Sequence, residues 1–187
     1  MSAIRKFICA ALILTGCTTL AAYAQDDVFA FIPQGGRTLL GDLFASGKAS
    51  PGEVLSSRRS ADEWLAYIQG LDSGLDEVQL QTLAAYLAAT MPTAETGGQT
   101  LDTNGMALPR DGRDLVLEYC QSCHIITVVV TQSRSREAWL GMMNRASHVE
   151  IGTTQQEREA LADYLVLNGG IPIEEVPEEL RAGGATY

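Results

Sequence analysis

The side chains with the most chemistry to offer cluster in one heptapeptide, "EYCQSCH", at positions 118–124. Cys120 and Cys123 are separated by two residues, and His124 follows at once. Three chemistries use such a pattern: a redox disulfide, a zinc site, or covalent attachment of a c-type haem. A structural zinc site takes four ligands, yet no second CxxC pair exists and the only other histidine is His148. A thioredoxin-like dithiol follows a strand and opens a helix, and no strand-period run precedes Tyr119. Haem attachment gives each residue a task. The two thiols add to the two vinyl groups, the intervening pair sets their separation, and His124 becomes the proximal iron ligand. The cofactor this implies is one covalent haem c, held by Cys120, Cys123 and His124.

The compartment agrees with that chemistry. Arg5 and Lys6, the apolar run "FICAALILTG" and the small-residue pattern "AAYA" read as an export signal cleaved after Ala24. The apolar run is too short for a stable membrane-spanning helix. A competing reading takes "LTGC" as a lipobox, with Cys17 lipidated and the protein anchored to a membrane. Either way the chain acts outside the cytoplasm, in the periplasm. Cleavage removes two of the 13 basic residues and none of the 23 acidic ones, so net charge moves from −10 to −12. So acidic a chain is a poor match for nucleic acid and suits a partner with a basic face. Cleavage also removes Cys9 and Cys17, leaving the CxxC pair as the only thiols.

Helices must position these groups. "DGRDLVLEYCQSCH" has Leu115, Val116 and Tyr119 at helical spacing, with Asp111 or Asp114 near its start. "IITVVV" has strand propensity but is expected as an apolar loop or short turn lining the haem. "SRSREAWLGMMNRA" reads as a helix capped by Ser133 or Ser135, with Trp139, Met142, Met143 and Ala146 on one face. "TTQQEREALADYLVLNGG" is a further helix: Thr153 or Thr154 caps it, Leu161, Tyr164 and Leu165 form its stripe, and Gly169–Gly170 ends it.

A haem helix, a Trp-bearing helix and a terminal "ADYL" helix together resemble a class I cytochrome c over about residues 110–170. "TQSRSREAW" followed by "DYL" is similar in particular to cytochrome subunits of periplasmic dehydrogenases, of the sulfite dehydrogenase and quinohaemoprotein amine dehydrogenase type. The resemblance implies packing roles near the haem for Trp139 and Tyr164. It also implies a sixth iron ligand from late in the Trp helix or from the loop after it. That family commonly supplies methionine there, but "NRASHVEIG" contains none. His148 at the helix-to-loop junction, Met143 or Met142 one turn earlier, and an open site remain as alternatives; Met106 is a remote one. A thioether raises the reduction potential and a second imidazole lowers it.

The N-terminal half looks like an echo without haem. "RRSADEWLAYIQGLDSGLDEVQLQTLAAYLAATMP" repeats the Arg-Ser-Glu-Trp-Leu and Leu-Ala-x-Tyr-Leu pattern of residues 134–170, and Lys48 falls at the position matching Cys123. No Cys or His occurs in residues 25–119. The expected fold is all-α, a class I cytochrome c domain preceded by a smaller haem-free, pseudo-cytochrome lobe. The expected divisions are a signal peptide at 1–24, the haem-free lobe at 25–92, a linker at 93–109, and the cytochrome domain with an acidic C-terminal tail at 110–187. The implied function is single-electron transfer rather than enzymatic turnover. Electrons would pass from a periplasmic dehydrogenase of molybdenum- or quinone-cofactor type to a downstream cytochrome or oxidase. Two rivals stand: an open-site haem protein that binds gas or peroxide, and a scaffolding subunit of a respiratory complex.

Overall fold

The computed structural model describes residues 28–93, 99–101 and 107–181. The leader, Cys17 and Met106 lie outside the described residues. The chain is mostly helical, as expected. Four helices form the first half: α1 (Gly36–Ala45), α2 (Pro51–Ser56), α3 (Ala61–Gln69) and α4 (Glu77–Thr90). The expected linker contains a two-stranded antiparallel ribbon, β1 (Gln99–Leu101) and β2 (Ala107–Pro109), with Thr100 opposite Leu108. Then come α5 (Gly112–Leu115), running into a π-helical turn at Val116–Cys120, α6 (Thr127–Val130), α7 (Arg136–Met143), α8 (Ala146–Val149) and α9 (Gln155–Asn168).

The helix starts follow from local chemistry. Ser60 accepts from the Glu63 amide while the Glu63 carboxylate accepts from the Ser60 amide; Asp76 with Gln79, Asp111 with Asp114 and Thr154 with Glu157 repeat the device. Each satisfies two amides the helix itself cannot. Ser135 caps α7 by accepting from the Ala138 amide. One expectation changes and another gains detail. α7 stops at Met143, so Ala146 does not share its face but opens α8, where it is exposed. "TVVV" is a helical turn, because Thr127 and Val130 turn inward against the C-terminal tail: Thr127 Oγ1 donates to Leu180 O at 2.7 Å, and the Ile171 amide donates to Val130 O at 3.1 Å. Tertiary contacts outweigh the strand propensity of valine there. The tail itself is an ordered strap through residue 181, with Val176 buried and Glu174, Glu175, Glu178 and Glu179 all exposed.

Two hydrophobic cores result. One centres on Leu39, Leu40, Val54, Trp64, Ile68, Leu83 and Leu87; the other on Leu115, Val116, Ile126, Val130, Trp139, Leu161 and Leu165. Their boundaries are not those expected from sequence. Ile32, ahead of α1, is buried in the C-terminal core, and Leu108, ahead of α5, is buried in the N-terminal core. Each lobe thus lends the segment before its first helix to the other. The exchange is reciprocal in detail. Tyr164 of α9 donates its hydroxyl to Pro33 O at 2.5 Å, and Tyr86 of α4 donates to Pro109 O at 2.9 Å. A Cβ on Gly36 would lie 2.2 Å from Tyr86 Cβ, and one on Gly112 would lie 2.2 Å from Tyr164 Cβ. Only glycine allows each first helix to cross its terminal helix so closely.

These matched contacts pair Gly36 with Gly112, a spacing of 76. Lys48 therefore corresponds to His124, and Cys123 to Gly47; the sequence alignment was one residue out. The symmetry breaks at one place on the interface. Gly35 corresponds to Asp111, and a Cβ on Gly35 would lie 2.0 Å from Asp111 Oδ2. The buried Asp111 carboxylate accepts from the Arg37 amide at 2.8 Å and the Asp114 amide at 2.9 Å, so one side chain caps the first helix of both lobes. Arg37 and Asp114 pair across the same junction at 2.8 Å. Burial, with Asp114 alongside, pushes the Asp111 carboxyl up to about 6. Among the described residues, no helix is long and apolar enough to cross a membrane.

Candidate haem site

The π-helical turn of Val116–Cys120 widens the helix by one residue per turn just before the thiols, whereas α1 in the other lobe is regular throughout. Helical winding then gives way to a tight turn in which the His124 amide donates to Cys120 O at 3.1 Å. Cys120 is half-buried and Cys123 exposed, and both are free thiols. Burial pushes the Cys120 thiol up to about 11, away from the depressed range of reactive redox cysteines.

Cys120, Cys123 and His124 form one side of a cavity of about 480 Å³. That is the size range of pockets that enclose small organic ligands and cofactors. Val128 and Val129 of α6, Trp139, Met142 and Met143 of α7 and Leu161 of α9 supply an apolar wall; Gln132, Arg134 and Thr153 are polar members. Ser147, His148, Ile151 and Arg158 complete it. Every sequence-predicted site residue among those described is therefore brought together here: Cys120, Cys123, His124, Met142, Met143 and His148. Tyr164 is the exception to the expected layout. It does not line the cavity but sits at the α5–α9 crossing, bonded to Pro33.

One separation bears on the distal candidates. The His124 and His148 rings stand with centroids 6.1 Å apart and planes at 26°. Imidazole nitrogen binds a first-row metal at about 2.0–2.1 Å, and a ring centroid lies about 1.1 Å behind that nitrogen, so two imidazoles on opposite sides of one metal have centroids about 6.3 Å apart. The observed spacing fits. Ser147 Oγ lies 2.9 Å from His148 Nδ1 and occupies that nitrogen, so Nε2 is the His148 nitrogen a metal could use. The Met143 side chain is buried in the C-terminal core as well as lining the cavity, a packing role sufficient to account for it. Among the described residues no group of three or more His, Cys, Asp and Glu side chains could enclose a metal ion unaided. Haem iron asks less of the protein, namely axial ligands only.

Trp139 packs against the cavity. It is 1 % exposed, lines the cavity, and its indole Nε1 has no hydrogen-bond partner in the protein. Trp64 Nε1 in the N-terminal lobe is buried and unpartnered in the same way, so this feature belongs to the framework that the two lobes share. Arg134 lies over the Trp139 ring at 5.3 Å, as Arg59 lies over Trp64 at 4.7 Å in the other lobe.

The N-terminal lobe shows what the same framework does without the motif. Lys48, at the position of His124, reaches across and donates from Nζ to Asp72 O at 3.0 Å and Ser73 O at 2.9 Å. Asp72 and Ser73 sit in the connection from α3 to α4, the counterpart of the connection that carries His148. Phe44 takes the place of Cys120 and packs on the N-terminal core. The gap spanned by two facing imidazoles in one lobe is closed by a single ammonium in the other. Arg158 and the unpaired Trp139 Nε1 were not anticipated from sequence, because nothing local distinguishes them from an ordinary helix-face arginine and a core tryptophan. No protein-family model, curated protein or solved structure matches this chain.

Proposed function

We propose that this chain is an exported, class I, single-haem c-type cytochrome that carries electrons one at a time. The observation that carries the reading is the pairing of Cys120-Gln-Ser-Cys123-His124 with a facing His148 ring, 6.1 Å away across an apolar cavity. Cys120 and Cys123 would hold a haem through their thiols, and His124 and His148 would supply its two nitrogen ligands. Haem in this pocket supplies the one-electron iron couple. The protein's own residues do the rest. With His124 and His148 both engaged by a bound haem, no substrate would need to bind at the metal. Val128, Val129, Met142, Met143 and Leu161 keep water from the pocket. Two nitrogen ligands favour a lower potential than His–Met ligation, which suits acceptance from a dehydrogenase and delivery to a downstream cytochrome or oxidase. The acid excess of the chain, 23 acidic against 13 basic residues, and the four exposed glutamates of the C-terminal strap favour partners with basic docking faces.

Expression with periplasmic c-haem maturation machinery tests the proposal. The expected product carries one haem by mass, resists acid–organic extraction, and shows a low-spin spectrum that carbon monoxide leaves unchanged after reduction. A polypeptide of bare amino-acid mass with no Soret band refutes it. A high-spin spectrum with rapid carbon monoxide binding favours the rival gas- or peroxide-binding reading.

A further inference from the structure

The segment that carries His148 has no anchor in the core. From Asn144 to Glu157 no residue is buried, and α8 contributes none. Its internal bonds are local: the His148 and Val149 amides donate to Arg145 O at 2.8 and 2.9 Å, and the Ile151 amide donates to His148 O at 3.1 Å. Such bonds shape a turn but do not say where it sits. Placement comes from α9. Arg158, only 7 % exposed, sends one guanidinium nitrogen to Met143 O and the other to Ile151 O at 3.2 Å, with Val149 O at 3.4 Å and His148 O at 3.5 Å. Among the described residues, those are the only hydrogen bonds that tie His148, Val149 and Ile151 to anything outside residues 145–153. The cation is matched by carbonyls at the ends of α7 and α8, where helix dipoles gather negative potential. No carboxylate pairs with it among the described residues.

The other lobe shows why the cation sits on α9. There, Lys48 reaches from the proximal position to grip the corresponding connection. His124 replaces that lysine in the C-terminal lobe and cannot do the same while binding a metal. Tyr86 pairs with Tyr164, so Arg158 corresponds to Leu80, an apolar residue packed on the N-terminal core. Each lobe has a cation holding the carbonyls of this connection, entering from different elements.

We propose that Arg158 is the positioning residue for the distal ligand: its fork holds the loop so that His148 faces His124 at ligation distance. The role rests on the haem reading above. A planar guanidinium can address both sets of carbonyls at once; a lysine ammonium keeps the charge but not the fork. Hydrogen bonds to a charged group are strong enough that losing those to the His148 loop shifts the bound-to-released equilibrium of His148 by about a hundredfold.

The experiment compares the haem-loaded wild-type chain with Arg158→Lys and Arg158→Met. Both variants are expected to show a high-spin fraction and to bind carbon monoxide when reduced, and added imidazole should restore the low-spin spectrum. Trypsin cleavage after the exposed Arg145 should speed up about tenfold in both. Retention of a carbon monoxide-inert, low-spin spectrum by either variant overturns the proposal. So does loss of helical circular dichroism in both, since that marks a role in the whole fold. If the wild-type chain takes up no haem, the haem reading has failed, and the trypsin comparison still decides whether Arg158 pins the loop.

Discussion

Replacing Gly112 by alanine is the most direct challenge to the packing that carries the site. A Cβ there would lie 2.2 Å from Tyr164 Cβ and 2.6 Å from Ala160 O. Carbon atoms pack comfortably at about 3.5–4.0 Å, so α5 and α9 must separate by more than about 1 Å. Neither obstacle is the flexible tip of a side chain, so rotamer change offers no escape. Inserting a methyl into such a contact costs about 1–3 kcal/mol, and the backbone obstruction places this case near about 3. With a urea slope of about 2 kcal/mol/M, the midpoint should fall by about 1.5 M. The damage also reaches the cavity, because α5 leads through the π turn to Cys120 and α9 carries Arg158 and Leu161. Urea titration of the loaded protein, followed by circular dichroism and by haem absorbance, measures both effects. Gly36→Ala meets Tyr86 Cβ at the same 2.2 Å and should cost about as much, but without disturbing the haem spectrum. Gly141→Ala is the control: it lies inside α7 with nothing within 4 Å of its Cβ, and should stabilise by about 0.5–1 kcal/mol. A Gly112→Ala midpoint equal to wild type would refute the close-crossing argument.

Three further outcomes follow from the same contacts. Tyr164→Phe removes the hydroxyl bond to Pro33 O and should cost about 1 kcal/mol, read as faster amide exchange in residues 28–33 while Arg113 still holds Phe29 O at 3.0 Å. Asp111 gives a pH signature. Its folded value, about 6, lies above the ordinary 3.8, so the folded state binds the proton more tightly. That contribution is complete below about 3.8 and is lost as pH rises through about 6, so stability should fall from pH 5 to pH 7.5 by about 1.4 kcal/mol. Asp111→Asn should flatten this dependence in urea titrations, and an unchanged slope would remove Asp111 as its source. Cys120→Ser combined with Cys123→Ser should leave any incorporated haem extractable by acidified acetone, whereas the wild-type protein retains it; retention in the double variant would end the thioether assignment.

Much of this was readable from neighbouring residues alone. The helix starts at Asp111, Ser135 and Thr154 depend on a side chain and an amide three positions on, so a short window narrowed each to two candidates. The thiols and His124 were readable for the same reason. Misreadings came from longer range. The end of α7 at Met143, where Arg158 of α9 bonds the last carbonyl, is one. A match of the two halves that runs back from Trp64 and Trp139 slipped by one residue, because the paired glycine–tyrosine crossings set the register at the first helices.

Local order in the chain was enough to bring Cys120, Cys123 and His124 together, since CxxCH places two thiols and an imidazole within five residues whatever surrounds them. It was also enough for a mostly helical chain with repeated halves. Which side chain faces His124 was not, and neither were the exchange of Ile32 and Leu108 between the cores and the reach of Arg158 into the distal loop. Those depend on groups that meet through space, and each such meeting is selected by the packing of whole helices against one another, in which no short window carries the deciding term.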